Sequence, residues 1–344
     1  MTTAAQNRPA GTGASPEERF LSTVHEEMAA VASLLDDEIR SEVRSAYEIS
    51  GHTLRAGGKR LRPAALILSA RSVGRDFPAQ MIYASSAAVE LIHMASLIHD
   101  DVVDGAESRR GRPTANAAFG NQISVLVGDY LLAKSIYLAA REGHMDVIRI
   151  FSKVTVGLSE GEVLQITMRG NPDTTEQTYF DIIGRKTAGF ISGCCEIGGL
   201  LAGADRPVVD ALAEYGQNLG LAFQIADDLL DFQGDPVVTG KPRCSDLREG
   251  KMTLPLIAAY RRLPASSAFK VRVSGWIQNP DALSETDAEA VRRMIEEYGG
   301  YETARQAAVD LVDKARHQLE ASVPPSPYRD SLAALASYSL GRDH

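Results

Sequence analysis

Two long apolar stretches that end in the same acidic signature constrain this chain more than any other feature. AVELIHMASLIH (88–99) runs into Asp100-Asp101-Val102-Val103-Asp104, and LGLAFQIA (219–226) runs into Asp227-Asp228-Leu229-Leu230-Asp231. Residues four apart on a helix share a face, with Cβ atoms about 6 Å apart. Asp100 therefore sits above Asp104, and Asp227 above Asp231, so each signature projects a carboxylate pair in one direction. Carboxylates held against apolar helices without partners are costly and need cations. Two facing clusters of hard oxygen ligands suit Mg²⁺ that also holds substrate phosphates. Asp36-Asp37-Glu38, on another helical pattern, is an internal control. Paired acids alone are more often a solvated surface.

The remaining pattern is helical. Ser15-Pro16-Glu17-Glu18 reads as a capped helix start after a disordered tail over 1–14, and an amphipathic run continues to about Ala46. Further helical patterns run from after Pro63 to about Val73, then over about 78–104, 121–142, 144–169, 175–203 and 207–232, and 253–263, 266–275, 284–298, 300–321 and 327–339. No segment shows sustained period-2 alternation, so the expected class is all-α, with 15–344 forming one large bundle. A hydrophobic content of 44% and a charged content of 24% suit a packed soluble protein. The net charge of −9 argues against an electrostatic nucleic-acid binder. Cys194, Cys195 and Cys244 form neither a disulfide framework nor a paired metal signature. The N-terminus has no apolar signal core, and Glu90 and Glu196 interrupt the apolar candidates for a membrane-spanning helix. The expected compartment is the cytoplasm.

Basic residues gather near the acids. Gly57-Gly58-Lys59-Arg60-Leu61-Arg62-Pro63 sets cations beside glycines, where a flexible backbone can aim them at phosphate. Glu90, His93 and Asp100 lie near one helix face. Arg109-Arg110-Gly111-Arg112 follows the first signature closely, and can form surface ion pairs or a diphosphate clamp. Residues 234–251, with Lys241 and Lys251, follow the second signature and read as a lid that brings charge to bound substrate.

Taken together these residues resemble the trans-isoprenyl diphosphate synthases, or polyprenyl synthetases, from about Leu54 to Leu256. The motifs are GGKRLRP (57–63), ELIHMASLIHDDVVD (90–104), RRGRPT (109–114), FGN (119–121), GDYLL (128–132), Lys186-Thr187-Ala188, FQIADDLLD (223–231) and DLREGKMTLPL (246–256). The resemblance implies a helical bundle around a deep cavity, usually a homodimer. It implies head-to-tail addition of isopentenyl diphosphate to an allylic diphosphate, with three Mg²⁺ ions. By motif, Asp100 and Asp104 would hold two ions and Asp227 a third, with Asp101, Asp228 and Asp231 in support, and Asp231 counted among the metal-site residues. Arg109, Lys186, Lys241 and Lys251 would hold the allylic diphosphate. Lys59, Arg62, His93 and Arg110 would hold isopentenyl diphosphate, and Thr187 and Gln224 would line the reaction centre. Relatives usually carry Gly where Cys244 stands.

In this family a floor one or two turns before the first signature sets product length. Ala95 and Ser96 stand there, too small to block a growing tail, so products longer than farnesyl are expected. Release of such a product implies a peripheral contact with a membrane surface. Alternatives are a geranylgeranyl or farnesyl synthase, the catalytic subunit of a two-component synthase, a class I terpene cyclase and a non-catalytic relative. A cyclase is expected to replace the second signature with an Asn/Ser/Glu triad.

Overall fold

The computed structural model describes residues 20–75, 78–234 and 243–341. The tail over 1–14, the helix start at Ser15–Glu18 and Lys241 lie outside the described residues. After a 3₁₀ turn at Ser22–Val24 come α1 (His25–Glu38), α2 (Arg44–Arg55), α3 (Leu61–Ser72) and α4 (Ala79–Val103). A two-residue hairpin, β1 (Ser108–Arg109) and β2 (Arg112–Pro113), leads to α5 (Ala115–Phe119), α6 (Asn121–Arg141) and α7 (Met145–Met168). Then follow α8 (Glu176–Ile183), a π-helical turn (Gly184–Ala188), α9 (Gly189–Leu201) and α10 (Arg206–Gln233). The C-terminal part holds α11 (Ser245–Arg248), α12 (Leu254–Arg262), α13 (Ala268–Gln278), α14 (Glu285–Glu297), α15 (Gly300–Ser322) and α16 (Pro327–Leu340). The class is all-α, as the patterning implies.

The first helix departs from expectation. The run expected to reach Ala46 stops at Glu38 and restarts at Arg44. Glu38 is buried, with Lys134 at 3.4 Å and Arg141 at 3.0 Å, both from α6. These tertiary ion pairs, with Ile39 buried beside them, hold the chain where local propensity alone would continue the helix.

Apolar packing forms two clusters. One gathers α4 and its neighbours, including Leu91, Ile98, Leu131 and Phe190; the other gathers Ile225, Phe232, Leu256, Trp276 and Ile295. The helix α10 belongs to both, with Leu212, Tyr215 and Leu219 in the first and Ile225 and Phe232 in the second. Because α10 packs along both α9 and α15, the two clusters share one spine. On length and composition α4 and α6 are apolar enough to cross a membrane, so the interruption at Glu90 does not by itself remove such segments. The apolar window of α4 is 72% buried inside the protein and that of α6 only 39%.

A glycine brings α10 against the π-helical turn. A Cβ on Gly220 would lie 2.4 Å from Ala188 Cα, so only glycine permits this approach. That contact sets the distance between the Lys186-Thr187 turn and the second acidic signature, which begins two turns further along α10.

Candidate active site

The first signature closes α4 with its carboxylates already engaged by cations. Asp101 is buried, and its Oδ1 accepts from Arg109 Nη2 at 2.7 Å and Nε at 3.0 Å. Asp104 pairs with Arg169 from the end of α7. Lys186 Nζ lies 3.8 Å from Asp100 Oδ2 and pairs with Glu162. Burial pushes the Asp100 carboxyl up despite the pull of Lys186, and repulsion from Glu162 and Asp104 adds to it. Lys186 reaches this cluster because the chain makes a π-helical turn at 184–188, a form that often marks functional sites.

On α10 one residue of the second signature turns inward. Asp228 is buried; its Oδ1 accepts from Gln224 Nε2 at 3.0 Å and its Oδ2 from the Tyr179 hydroxyl at 2.6 Å. Gln224 Oε1 in turn accepts the Thr187 hydroxyl at 2.9 Å. Burial and the charges of Asp246 and Asp227 push the Asp228 carboxyl well up, opposed by these two hydrogen bonds. Burial beside Asp228 holds the Tyr179 phenol well above its ordinary value. Asp228 therefore belongs to an interior network rather than to a solvent-facing metal shell.

A second basic set lies deeper. The Arg62 guanidinium is half-buried over the Phe190 ring, 4.8 Å from its centroid, and its buried Nε has no hydrogen-bond partner. Burial lowers its pKa, whereas Glu90, Asp227 and Asp100 raise it, so one guanidinium senses both acidic signatures. Burial first, and then Arg62, Arg110 and Arg109, push the His93 imidazole well below its ordinary value, and its Nδ1 is unpartnered. Glu90 Oε2 is unpartnered as well, and burial raises its carboxyl. Buried polar atoms are normally satisfied, so three orphans side by side mark a place built for a polar guest.

Backbone geometry aims the remaining cations. Arg110 (φ 52°) and Gly111 (φ 72°) form the tight turn of the β1–β2 hairpin, which needs positive φ at both positions. The Arg110 guanidinium lies where a Cβ on Gly58 would come 2.8 Å from Nη1, so this glycine makes room for it. Arg60 takes a left-handed conformation (φ 48°) just before α3, and Lys59 donates to the Tyr338 hydroxyl with its ammonium 4.7 Å from the Tyr338 ring centroid. The last helix thus touches the GGKRLRP segment through Lys59.

Asp231 also binds the chain that follows it. Its Oδ1 accepts the Ser245 amide at 3.1 Å and its Oδ2 the Asp246 amide at 3.2 Å, while its carbonyl accepts the Cys244 amide at 2.9 Å. These contacts tie residues 244–246 to the end of α10. Cys244 occupies a left-handed conformation (φ 60°, ψ 35°), which explains why glycine suits the position, and its side chain is fully buried in the second cluster. Lys251 is disfavoured as an ammonium by burial, but Asp246, Glu249 and Asp104 outweigh this and raise its pKa.

The structure brings together Asp100, Asp104, Lys186 and Lys251 around the first signature, and Asp227 with Arg62 between the two. Ala95 is packed in the core; Ser96 is partly exposed on the Asp100 side of α4, and its hydroxyl donates to His93 O at 2.8 Å. Sequence reasoning left out Tyr179, Glu162, Arg169 and Tyr338, each of which reaches the site from a distant part of the chain. Among the described residues no three His, Cys, Asp or Glu side chains close a metal site by themselves. Crowded carboxylates that supply only part of a coordination shell fit Mg²⁺, which completes its shell with substrate phosphates and water.

Comparison with known proteins agrees with this geometry. The polyprenyl synthetase family profile matches residues 43–294. The chain is 37% identical over 318 residues to the octaprenyl diphosphate synthase of Escherichia coli (strain K12), covering 92% of this chain and 96% of that protein. A decaprenyl diphosphate synthase from Rhodobacter capsulatus superposes with a TM-score of 0.89 at 41% identity, covering 96% of this chain and 100% of that one. A polyprenyl synthase from Caulobacter crescentus CB15, complexed with calcium and isoprenyl diphosphate, gives 0.89 at 36% identity over 98% and 100% of the two chains. The chain belongs to the polyprenyl synthetase family.

Proposed function

We propose that this chain is a trans-polyprenyl diphosphate synthase, a transferase that adds isopentenyl diphosphate head-to-tail to an allylic diphosphate. Its products are longer than farnesyl. The observation that carries the reading is the charge of both acidic signatures acting on the half-buried Arg62, beside unpartnered atoms of His93 and Glu90. Diphosphates on the two sides of this charge array would have their reacting carbons held in one cleft.

The residues divide the work. Asp100, Asp104 and Asp227 would hold three Mg²⁺ ions, which when bound neutralise the diphosphate that departs. Lys186, Arg109, Lys251 and Lys241 grip that diphosphate and stabilise its growing charge more in the transition state than before it. Lys59, Arg62, His93 and Arg110 hold isopentenyl diphosphate so that its double bond meets the allylic cation. The released diphosphate takes the proton that is lost. Apolar walls from α4 and α9 keep water from the cation.

Support for long products comes from the small Ala95 and Ser96 before Asp100 and from relatives named octaprenyl and decaprenyl diphosphate synthases. We assign the exposed apolar residues of α6 and α7, among them Leu126, Tyr137, Val156 and Val163, to contact with a second copy of the chain. A peripheral membrane contact serves product release, and the three buried, free cysteines suit the cytoplasm. One observation favours a second reading, the catalytic half of a two-component enzyme. A relative from Geobacillus stearothermophilus, 37% identical over 94% of this chain, is named heptaprenyl diphosphate synthase component 2.

Purified protein given Mg²⁺, isopentenyl diphosphate and a series of allylic primers tests all of this, with products sized by chromatography. We expect prenyl diphosphates beyond farnesyl from the lone chain, loss of turnover in Asp100→Asn, and shorter products from Ala95→Phe. No condensation by the folded lone chain would favour the two-component reading. Normal turnover of Asp100→Asn at saturating Mg²⁺ would refute the metal assignment.

A further inference from the structure

We propose that Tyr179 is a positioning residue for this reaction: through Asp228 and Gln224, its hydroxyl fixes the direction in which the Thr187 hydroxyl points. The inference rests on the placement of Thr187 and Gln224 at the reaction centre argued above.

In the structure every hydrogen bond of the relay is laid out in one sense. Tyr179, buried on α8, donates to Asp228 Oδ2 at 2.6 Å. The other carboxylate oxygen, Oδ1, takes the Gln224 amide nitrogen at 3.0 Å. With its nitrogen committed, Gln224 must turn Oε1 toward Thr187, where it accepts the hydroxyl at 2.9 Å. A threonine hydroxyl has one proton and two lone pairs. Once that proton goes to Gln224, Oγ1 offers only lone pairs elsewhere. Thr187 follows Lys186, whose ammonium lies 3.8 Å from Asp100, so this oxygen sits in the turn that faces the diphosphate charges. An oxygen fixed as an acceptor favours positive charge developing on the allylic carbon, and its preorganisation costs nothing at the moment of reaction.

Removing the phenol hydroxyl undoes the bias. Asp228 Oδ2 loses its donor in a buried site that also feels Asp227 and Asp246. The Gln224 amide is then free to follow a rotated carboxylate. With its NH₂ group toward Thr187, the hydroxyl becomes the acceptor and its proton turns to the substrate side. Tyr179 and Asp228 are 49 residues apart, so no local motif announces the pairing. Phenylalanine at 179 keeps the ring in the second apolar cluster, which makes Tyr179→Phe a narrow perturbation.

The test is a double-mutant cycle on steady-state kinetics with Tyr179→Phe, Thr187→Val and the double variant, each checked by thermal unfolding. We expect Tyr179→Phe to lower kcat about tenfold, the scale of leaving one buried polar group without its hydrogen bond. KM for both diphosphates should stay within about twofold of wild type. Thr187→Val should also lower kcat, and the double variant should be no slower than the worse single variant. Gln224→Met breaks the same relay without touching the tyrosine, and should show the same non-additivity with Thr187→Val. Multiplicative losses in both cycles, or an unchanged kcat in Tyr179→Phe, would overturn the relay alone. A wild-type kcat in Thr187→Val would overturn the placement of the reaction centre, and the relay with it.

Discussion

Replacing Gly220 by alanine tests how closely the second signature must be held to the Lys186-Thr187 turn. The added Cβ would lie 2.4 Å from Ala188 Cα, 3.0 Å from Ala188 Cβ and 3.2 Å from Ala188 N, whereas ordinary contact begins at 3.4 Å. Two backbones must therefore part by about 1 Å, since no flexible side-chain end is there to yield. Overpacking of this kind costs about 1–3 kcal/mol. Gln224 and Asp227 lie four and seven residues beyond Gly220, on its face of α10, so they move with it. A displacement near 1 Å from productive geometry costs about 100-fold in rate. The assay is kcat at saturating primer and isopentenyl diphosphate, with the thermal midpoint measured on the same sample. Gly275→Ala is the control: nothing lies within 4 Å of its added Cβ, so it should stabilise α13 by about 0.5–1 kcal/mol and leave kcat unchanged. Wild-type kcat in a fully stable Gly220→Ala protein would refute the claim that this contact sets the site.

The other predictions concern single side chains. Asp231→Asn leaves one acceptor oxygen for the Ser245 and Asp246 amides; it should weaken binding of the allylic diphosphate while leaving the Mg²⁺ concentration for half-maximal rate unchanged. Asp227→Asn should shift that concentration, and an equal shift in Asp231→Asn would return Asp231 to the metal shell. His93 is held neutral, well below its ordinary 6.5. The unfolded chain gains a proton on falling below pH 6.5 and the folded chain does not, so stability drops as pH falls below that value, by up to about 1.4 kcal/mol per pH unit. Urea unfolding at several pH values should show a shallower decline in His93→Gln, and identical slopes would contradict the buried-neutral assignment.

The long helices after Gly57, unlike the short α5 and α11 with little periodicity to show, were legible in the sequence because apolar periodicity, Pro63, Pro78 and the glycines punctuate them. The acidic signatures and their basic companions were legible for the same reason: they are short and local. What escaped depends on partners far along the chain. Glu38 ends a helix because Lys134 and Arg141 draw its carboxylate inward. Asp228 and Asp231 look equivalent in DDLLD, yet one turns to Tyr179 and the other to the amides of 245–246. Spacing alone gives both a place on the helix, but not which neighbours await them. Cys244 was visible as a departure from glycine, and the left-handed backbone supplies the reason.

The π-helical turn at 184–188 carries a consequence for the register of the whole middle segment. Such a turn holds one residue more than the α-helix on either side requires, and each residue advances a helix by about 100°. Before it, Tyr179 and Ile183 face the C-terminal cluster; after it, Phe190, Ile191 and Cys194 face the cluster around α4. One continuous helix from 176 to 201 could not serve both with this apolar spacing. A single in-frame codon deletion between Gly184 and Ala188 would restore regular helix and rotate everything beyond it, turning Phe190 away from Arg62. The extra residue that brings Lys186 to Asp100 is thus also the hinge pin between two cores, so insertions and deletions here are barred on structural grounds before catalysis is considered.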